Sequence, residues 1–169
     1  DRAPDAGEWG IAAYTGRSAS PPADLVAQHG RYTLVTRAGD GDRFDVVSSL
    51  STIHGRSEHA AWLEHMCSPD VAVVTVTVTE AGYRLGPARA LDYHDPAVRA
   101  DVAALRADLT APVVTAPGLL LSGLVARRRA DAGPLTVIPC DNLPGNGDIT
   151  YGALLEMAAI IEPALASWL

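Results

Sequence analysis

A short apolar run, Leu135-Thr136-Val137-Ile138-Pro139, is followed by nine mostly polar or turn-forming residues and then by an apolar pattern of helical period from Ile149 to Ile161. A strand, a polar turn and a helix in immediate succession commit this part of the chain to an α/β arrangement. In open α/β sheets, ligands bind where strands end and helices begin, because backbone N–H groups and loop side chains converge there. The turn, Cys140-Asp141-Asn142-Leu143-Pro144-Gly145-Asn146-Gly147-Asp148, carries two amides, two carboxylates and two glycines. A plainer use of the same residues is local. Asn146 or Asp148 could cap the helix, Gly145 and Gly147 could supply permissive backbone, and Asp141 could brace the loop by accepting backbone N–H bonds.

The rest of the chain alternates in the same way. The pattern predicts a strand near Glu8 to Tyr14, a loop from Thr15 to Pro22, a short helix from Ala23 to His29 and a strand from Tyr32 to Thr36. The turn Gly39-Asp40-Gly41-Asp42 leads into an extended run from Phe44 to Leu50, which predicts a hairpin. A helix from Ser57 to Met66 stops at Ser68-Pro69, and Val71 to Val78, read as VAVVTVTV, is continuous enough for a strand buried on both faces. A long loop with Tyr83, Leu91 and Tyr93 follows. Asp95-Pro96 opens a helix to about Ala107, with Asp as N-cap and Pro in the first turn. Pro117 to Ala132 is helical, and the Arg127 to Arg129 triplet suits a helix C-terminus that Gly133 ends. Strands alternating with helices predict one α/β domain with a parallel or mixed sheet and helices on both faces.

Several function classes are disfavoured. A net charge of −7 with few clustered cations argues against a nucleic-acid surface. No apolar stretch approaches the ~18 residues of a membrane span. The two cysteines, Cys67 and Cys140, form no CxxC motif, so a reducing compartment, the cytoplasm, is the expectation. His54, His59 and His65 fall on different helical faces, which does not suit a helical zinc site. Ser122 lacks a GxSxG context and Cys140 lacks a neighbouring base, so nucleophilic catalysis finds no support.

Two segments together carry a family resemblance: Thr77 to Tyr83, TVTEAGY, and Cys140 to Gly147, CDNLPGNG. They resemble the polyol-specific long-chain dehydrogenases and reductases, the mannitol 2-dehydrogenase and fructuronate reductase group. Glu8-Trp9-Gly10-Ile11, Ala27 to Leu34 and Arg127 to Gly133 follow in the order that family would place them. The resemblance implies a Rossmann-like cofactor-binding domain and hydride transfer between NAD or NADP and a polyol or sugar acid, without a metal. It also implies that a first strand with its Gly-rich turn lies before Asp1 and that a helical domain lies after Leu169. The expected domain is therefore 1–169, a single partial NAD(P)-binding unit. An isolated fragment of this kind is expected to be inactive.

Residue by residue, the resemblance makes Asn142 the group that steadies the substrate oxygen as it gains negative charge. A carboxamide N–H can do this without titrating. Thr79 and Glu80 are expected at the nicotinamide ribose or the substrate entrance, where a carboxylate could bind hydroxyls or pass protons. The resemblance places the general base, a lysine, in the following domain, and this chain contains no lysine: all 13 of its Lys and Arg positions are Arg. The loop from Thr15 to Pro22 is where a Rossmann fold reads the adenosine ribose. NAD-preferring relatives carry acidic residues there, whereas this chain has Ala19 and Ser20, preceded by Arg17 and Ser18. Arg17, Ser18 and Ser20 could pair with a 2′-phosphate, which keeps NADP open beside NAD. A different class of function stays open too: a non-catalytic α/β scaffold or protein-binding module.

Overall fold

The computed structural model describes residues 4–16 and 18–169, and the chain divides into two units, 1–58 and 59–169. In the first unit, β1 (Ile11–Tyr14) pairs in parallel with β4 (Leu50–His54), running from Ile11 opposite Leu50 to Tyr14 opposite His54. Between them come α1 (Ala23–Ala27) and the antiparallel hairpin of β2 (Tyr32–Thr36) and β3 (Arg43–Val47). The hairpin turns where Gly39 to Asp42 predict it. The extended run from Phe44 to Leu50, however, is not one strand: it breaks at Ser48-Ser49, and Leu50 starts β4. The cause is partner choice. Residues up to Val47 pair with β2, whereas those from Leu50 onward pair with β1.

The second unit has β5 (Val73–Val76) parallel to β6 (Thr136–Pro139), in register from Val73 with Thr136 to Val76 with Pro139. Its helices are α2 (His59–Cys67), α3 (Pro96–Ala107), α4 (Ala116–Arg129), α5 (Asn146–Ile161) and α6 (Pro163–Ala166). The expected strand from Val71 to Val78 is shorter than its β-branched pattern suggests, and in the described chain Val73 and Thr75 are exposed while Val76 is buried. Its pairing stops where β6 stops, since Cys140 N donates to Val76 O as the last rung.

The core of this unit lies between the helices. Met66, Val98, Leu105, Leu121 and Met157 are each no more than 1% exposed. Each fully buried side chain of this size contributes about 1.5–3 kcal/mol. Asp95 caps α3 as expected, with Oδ1 accepting from Ala97 N at 2.7 Å and Val98 N at 3.3 Å. The start of α4 is tied to α3 by a relay. Thr115 Oγ1 accepts from Gly118 N and donates to Asp101 Oδ2 at 2.6 Å, and the buried Asp101 also accepts from Thr115 N and Val114 N. Trp62 on α2 donates to Leu119 O on α4 at 2.9 Å.

Arg127 does far more than complement a helix dipole. It is buried, and its guanidinium donates to five backbone carbonyls: Met66, Ser68, Ala132, Gly133 and Pro134, at 2.7–3.2 Å. The last turns of α2 and α4 and the approach to β6 therefore share one cation. Each carbonyl oxygen is the negative end of a peptide dipole, and those of Met66 and Ser68 stand at the C-terminus of α2, so the buried guanidinium is satisfied by backbone acceptors.

Candidate active site

The parallel pairing of β5 and β6 brings their C-terminal ends side by side, and with them the loops that follow. After β5 the chain passes Thr79 and enters a single 3₁₀ turn from Glu80 to Tyr83, closed by Gly82 N donating to Thr79 O at 2.7 Å. Thr79 and Glu80 are exposed, whereas Tyr83 is only 1% exposed. After β6 the chain passes Cys140, exposed, then Asp141 and Asn142. The structure thus brings Thr79, Glu80 and Asn142 to the same end of one strand pair.

The Tyr83 hydroxyl joins the two loops by donating a hydrogen bond to Asp141 Oδ2, and farther along Arg89 donates to Pro144 O at 3.2 Å. The other oxygen, Asp141 Oδ1, accepts from Leu143 N at 2.8 Å. Asn146 is not the helix cap. Its Nδ2 donates backwards, to Pro139 O at 3.2 Å and Asp141 O at 3.3 Å, and the N-cap is Gly145, which offers no side chain. Gly145 sits at φ 72°, a conformation that a side chain disfavours, and this lets the loop turn into α5. Asp148 lies in the first turn of α5 without bonding a backbone N–H there, so its contribution is charge toward the dipole.

These contacts set the electrostatics. The Tyr83 hydrogen bond is the largest influence holding the Asp141 carboxyl below its ordinary range, with Leu143 N and Asn146 adding to it. The same pair works on the phenol in the opposite sense. Burial first, then the bonded Asp141, pushes Tyr83 up to about 12. Asp141 thus stays a carboxylate and Tyr83 a phenol across the neutral range. Asn142 is exposed and its carboxamide has no hydrogen bond to another described residue, which leaves both amide N–H groups available outward.

Sequence reasoning passed over Tyr83 and Asn146. Tyr83 is a single aromatic residue in an aperiodic loop, and Asn146 reads like an ordinary helix cap. The signal that could have found Tyr83 is its place at the end of TVTEAGY, since a large aromatic ring three residues past an exposed Glu needs somewhere to be buried.

In the first unit, Ser18 and Ser20 lie exposed in the loop after β1, and Arg17 lies outside the described residues. This loop is fastened to the turn after β4. Arg56 N donates to Ser18 O, and Ser57 donates to Ala19 O through both N and Oγ. Gly55 permits the approach, because a Cβ there would lie 2.1 Å from Ala19 O. Glu58 accepts from Gly55 N at 2.6 Å, the main reason its carboxyl is held below the usual range. Tyr14 stacks on His54 at 4.7 Å between ring centroids. No carboxylate lies between Tyr14 and Asp24, so the loop carries hydroxyl groups and backbone rather than negative charge. Among the described residues no group of His, Cys, Asp and Glu could hold a metal ion. No helix among them is long and apolar enough to cross a membrane.

Residues 8–169 match the family model described as the mannitol dehydrogenase Rossmann domain. An uncharacterised oxidoreductase of Escherichia coli K12, YeiQ, is 34% identical over 96% of this chain and 33% of its own length. Mannitol 2-dehydrogenase of Cereibacter sphaeroides is 36% identical over 85% of this chain and 29% of its own. Among solved structures, mannitol 2-dehydrogenase of Pseudomonas fluorescens, in a ternary complex with NAD and D-mannitol, superposes with a TM-score of 0.82 at 30% identity, covering 95% of this chain and 33% of that one. A substrate-free D-sorbitol dehydrogenase gives 0.81 at 27% identity, with 95% and 34% covered. The chain spans about a third of the length of these relatives. Its fold is the Rossmann-like α/β fold with parallel strand pairs and helices.

Proposed function

The chain belongs to the mannitol dehydrogenase family, and from that membership we propose that 1–169 is part of one NAD(P)-binding domain of an oxidoreductase acting on a polyol or sugar acid of mannitol, arabinitol or fructuronate type. The observation that carries the reading is the joining of the strand ends. Tyr83 and Asp141 lock the two loops together and leave the Asn142 carboxamide exposed at the same end of the strand pair as Thr79 and Glu80. A bound nicotinamide would give or accept the hydride, and this chain's residues would do the rest. Asn142 would donate an N–H to the substrate oxygen as it becomes negative. Glu80 and Thr79 would hydrogen-bond hydroxyl groups of the ribose or the substrate. In the first unit, Ser18 and Ser20 would hydrogen-bond the adenosine ribose and the cation of Arg17 would favour a 2′-phosphate, with NADP accepted because no carboxylate is there to repel it. The base and most substrate contacts would come from a further, helical domain of the same protein. The unpaired cysteines suit a cytoplasmic setting.

The test is Asn142→Ala in the full-length protein. Turnover should fall by about 10²–10³-fold, the range for losing one donor to a developing oxyanion, while the nucleotide dissociation constant barely moves. Asn142→Asp should be at least as damaging, since it sets a carboxylate where negative charge develops. Near-normal turnover with a lowered melting temperature in both variants would leave Asn142 a turn residue only, as expected of a scaffold.

A further inference from the structure

Asn142 occupies a segment pinned at both of its peptide groups. The carbonyl before it, Asp141 O, accepts from Asn146 Nδ2 at 3.3 Å. The N–H after it, Leu143 N, donates to Asp141 Oδ1 at 2.8 Å. With both flanking peptide planes held, the backbone angles of Asn142 have little freedom, although its side chain is exposed. The two pins do not stand alone. Asp141 is itself aimed by the Tyr83 hydroxyl on Oδ2, from a ring that is buried and therefore fixed. Asn146 is held at the head of α5, where its own carbonyl accepts from Thr150 Oγ1 at 2.7 Å. The anchors thus come from rigid parts of the unit: the turn after β5 on one side and the first turn of α5 on the other.

We propose that Tyr83 and Asn146 are positioning residues that act through Asp141 to fix the direction of the Asn142 carboxamide toward the reacting oxygen. This rests on the role assigned to Asn142 above. Neither residue has to touch substrate or cofactor. Their effect is on catalysis more than on binding, because a donor to a developing alkoxide is effective only if its geometry is set before charge develops. The same arrangement explains why TVTEAGY and CDN serve together: one supplies the hydroxyl and the other the carboxylate that receives it.

The experiment is a double-mutant cycle in the full-length protein between Tyr83→Phe, which removes one oxygen and keeps the ring, and Asn142→Ala. Tyr83→Phe alone should lower kcat roughly 10- to 100-fold, the scale of a misplacement of about 1 Å. KM and the nucleotide dissociation constant, read by fluorescence titration, should hold within about twofold. In the Asn142→Ala background the same substitution should change kcat by less than about twofold, because the group it positions is gone. Asn146→Ala releases the other pin and should show the same dependence, which covers the case in which Tyr83→Phe folds poorly. Equal losses of kcat in both backgrounds, or a lowered melting temperature with kcat intact, would overturn the proposal while leaving the role of Asn142 standing. Full turnover by Asn142→Ala itself would remove that role, and the proposal with it.

Discussion

Tyr83 is a phenol whose ionisation is opposed twice, by burial and by the carboxylate it bonds, and this gives it a pH signature. Its folded value, about 12, lies above the ordinary 10.0, so its contribution to stability is complete below pH 10 and is lost as pH rises through 12. Asp141 runs the other way. Its carboxyl is lowered from 3.8, so its contribution is present above that pH and disappears as pH falls through the folded value. Chemical denaturation against pH should therefore show an alkaline loss of stability between 10 and 12 that Tyr83→Phe reduces. Tyrosinate absorbance of the folded protein should show two phenols titrating later than an ordinary tyrosine, Tyr83 and Tyr93, and Tyr83→Phe should remove one of them. A second residue-scale expectation concerns Ser20. Replacing it with Asp should shift cofactor preference toward NAD by roughly one to two orders of magnitude, in keeping with about 1.5–3 kcal/mol for a hydrogen bond to a charged group. Competing NAD and NADP kinetics on the full-length protein check this. Strong NAD preference in the unaltered protein would mean that the loop after β1 does not meet the 2′ position.

Among the elements, α2 and α4 depend on a single side chain at their C-terminal ends. Arg127→Met should destabilise the protein by about 3–5 kcal/mol, since it keeps much of the volume but leaves five buried or half-buried carbonyls without their donor. Arg127→Lys should recover only part of this, because an ammonium cannot reproduce the planar fork. A denaturant midpoint for each variant decides it. Most elements were legible because their signals are local: the Asp95-Pro96 cap of α3, the Gly39 to Asp42 turn of the hairpin, the apolar period of α5. β4 was not, because Leu50 to His54 continues the extended run of β3 with only Ser48-Ser49 between them, and its pairing with β1 is a contact across about forty residues. The length of β5 was over-read for a related reason. Val71 to Val78 is β-branched throughout, yet a strand extends only as far as its neighbour, and β6 has four residues. In the candidate site, the strand-end positions of Thr79, Glu80 and Asn142 were legible from motif and loop, whereas the contacts of Tyr83 and Asn146 were not, since burial and backward hydrogen bonding depend on loops that meet only in three dimensions.

For the molecule as a whole, the arginine-only composition is the constraint with the clearest outcome. With no lysine available, the 169-residue chain by itself should turn over no sugar alcohol, whatever nucleotide is supplied. Measured reduction of NAD or NADP above a buffer control by this chain alone, with mannitol or arabinitol, would contradict the proposed division of labour. The exposed sulfur of Cys140 has a practical bearing on all such measurements. Cys67 donates to Ala126 O and is partly covered, whereas Cys140 is open and stands one residue before Asp141. A maleimide dye or spin label would therefore attach beside the proposed reaction centre without any engineered residue, turning the protein's own thiol into an optical or magnetic reporter of what arrives there.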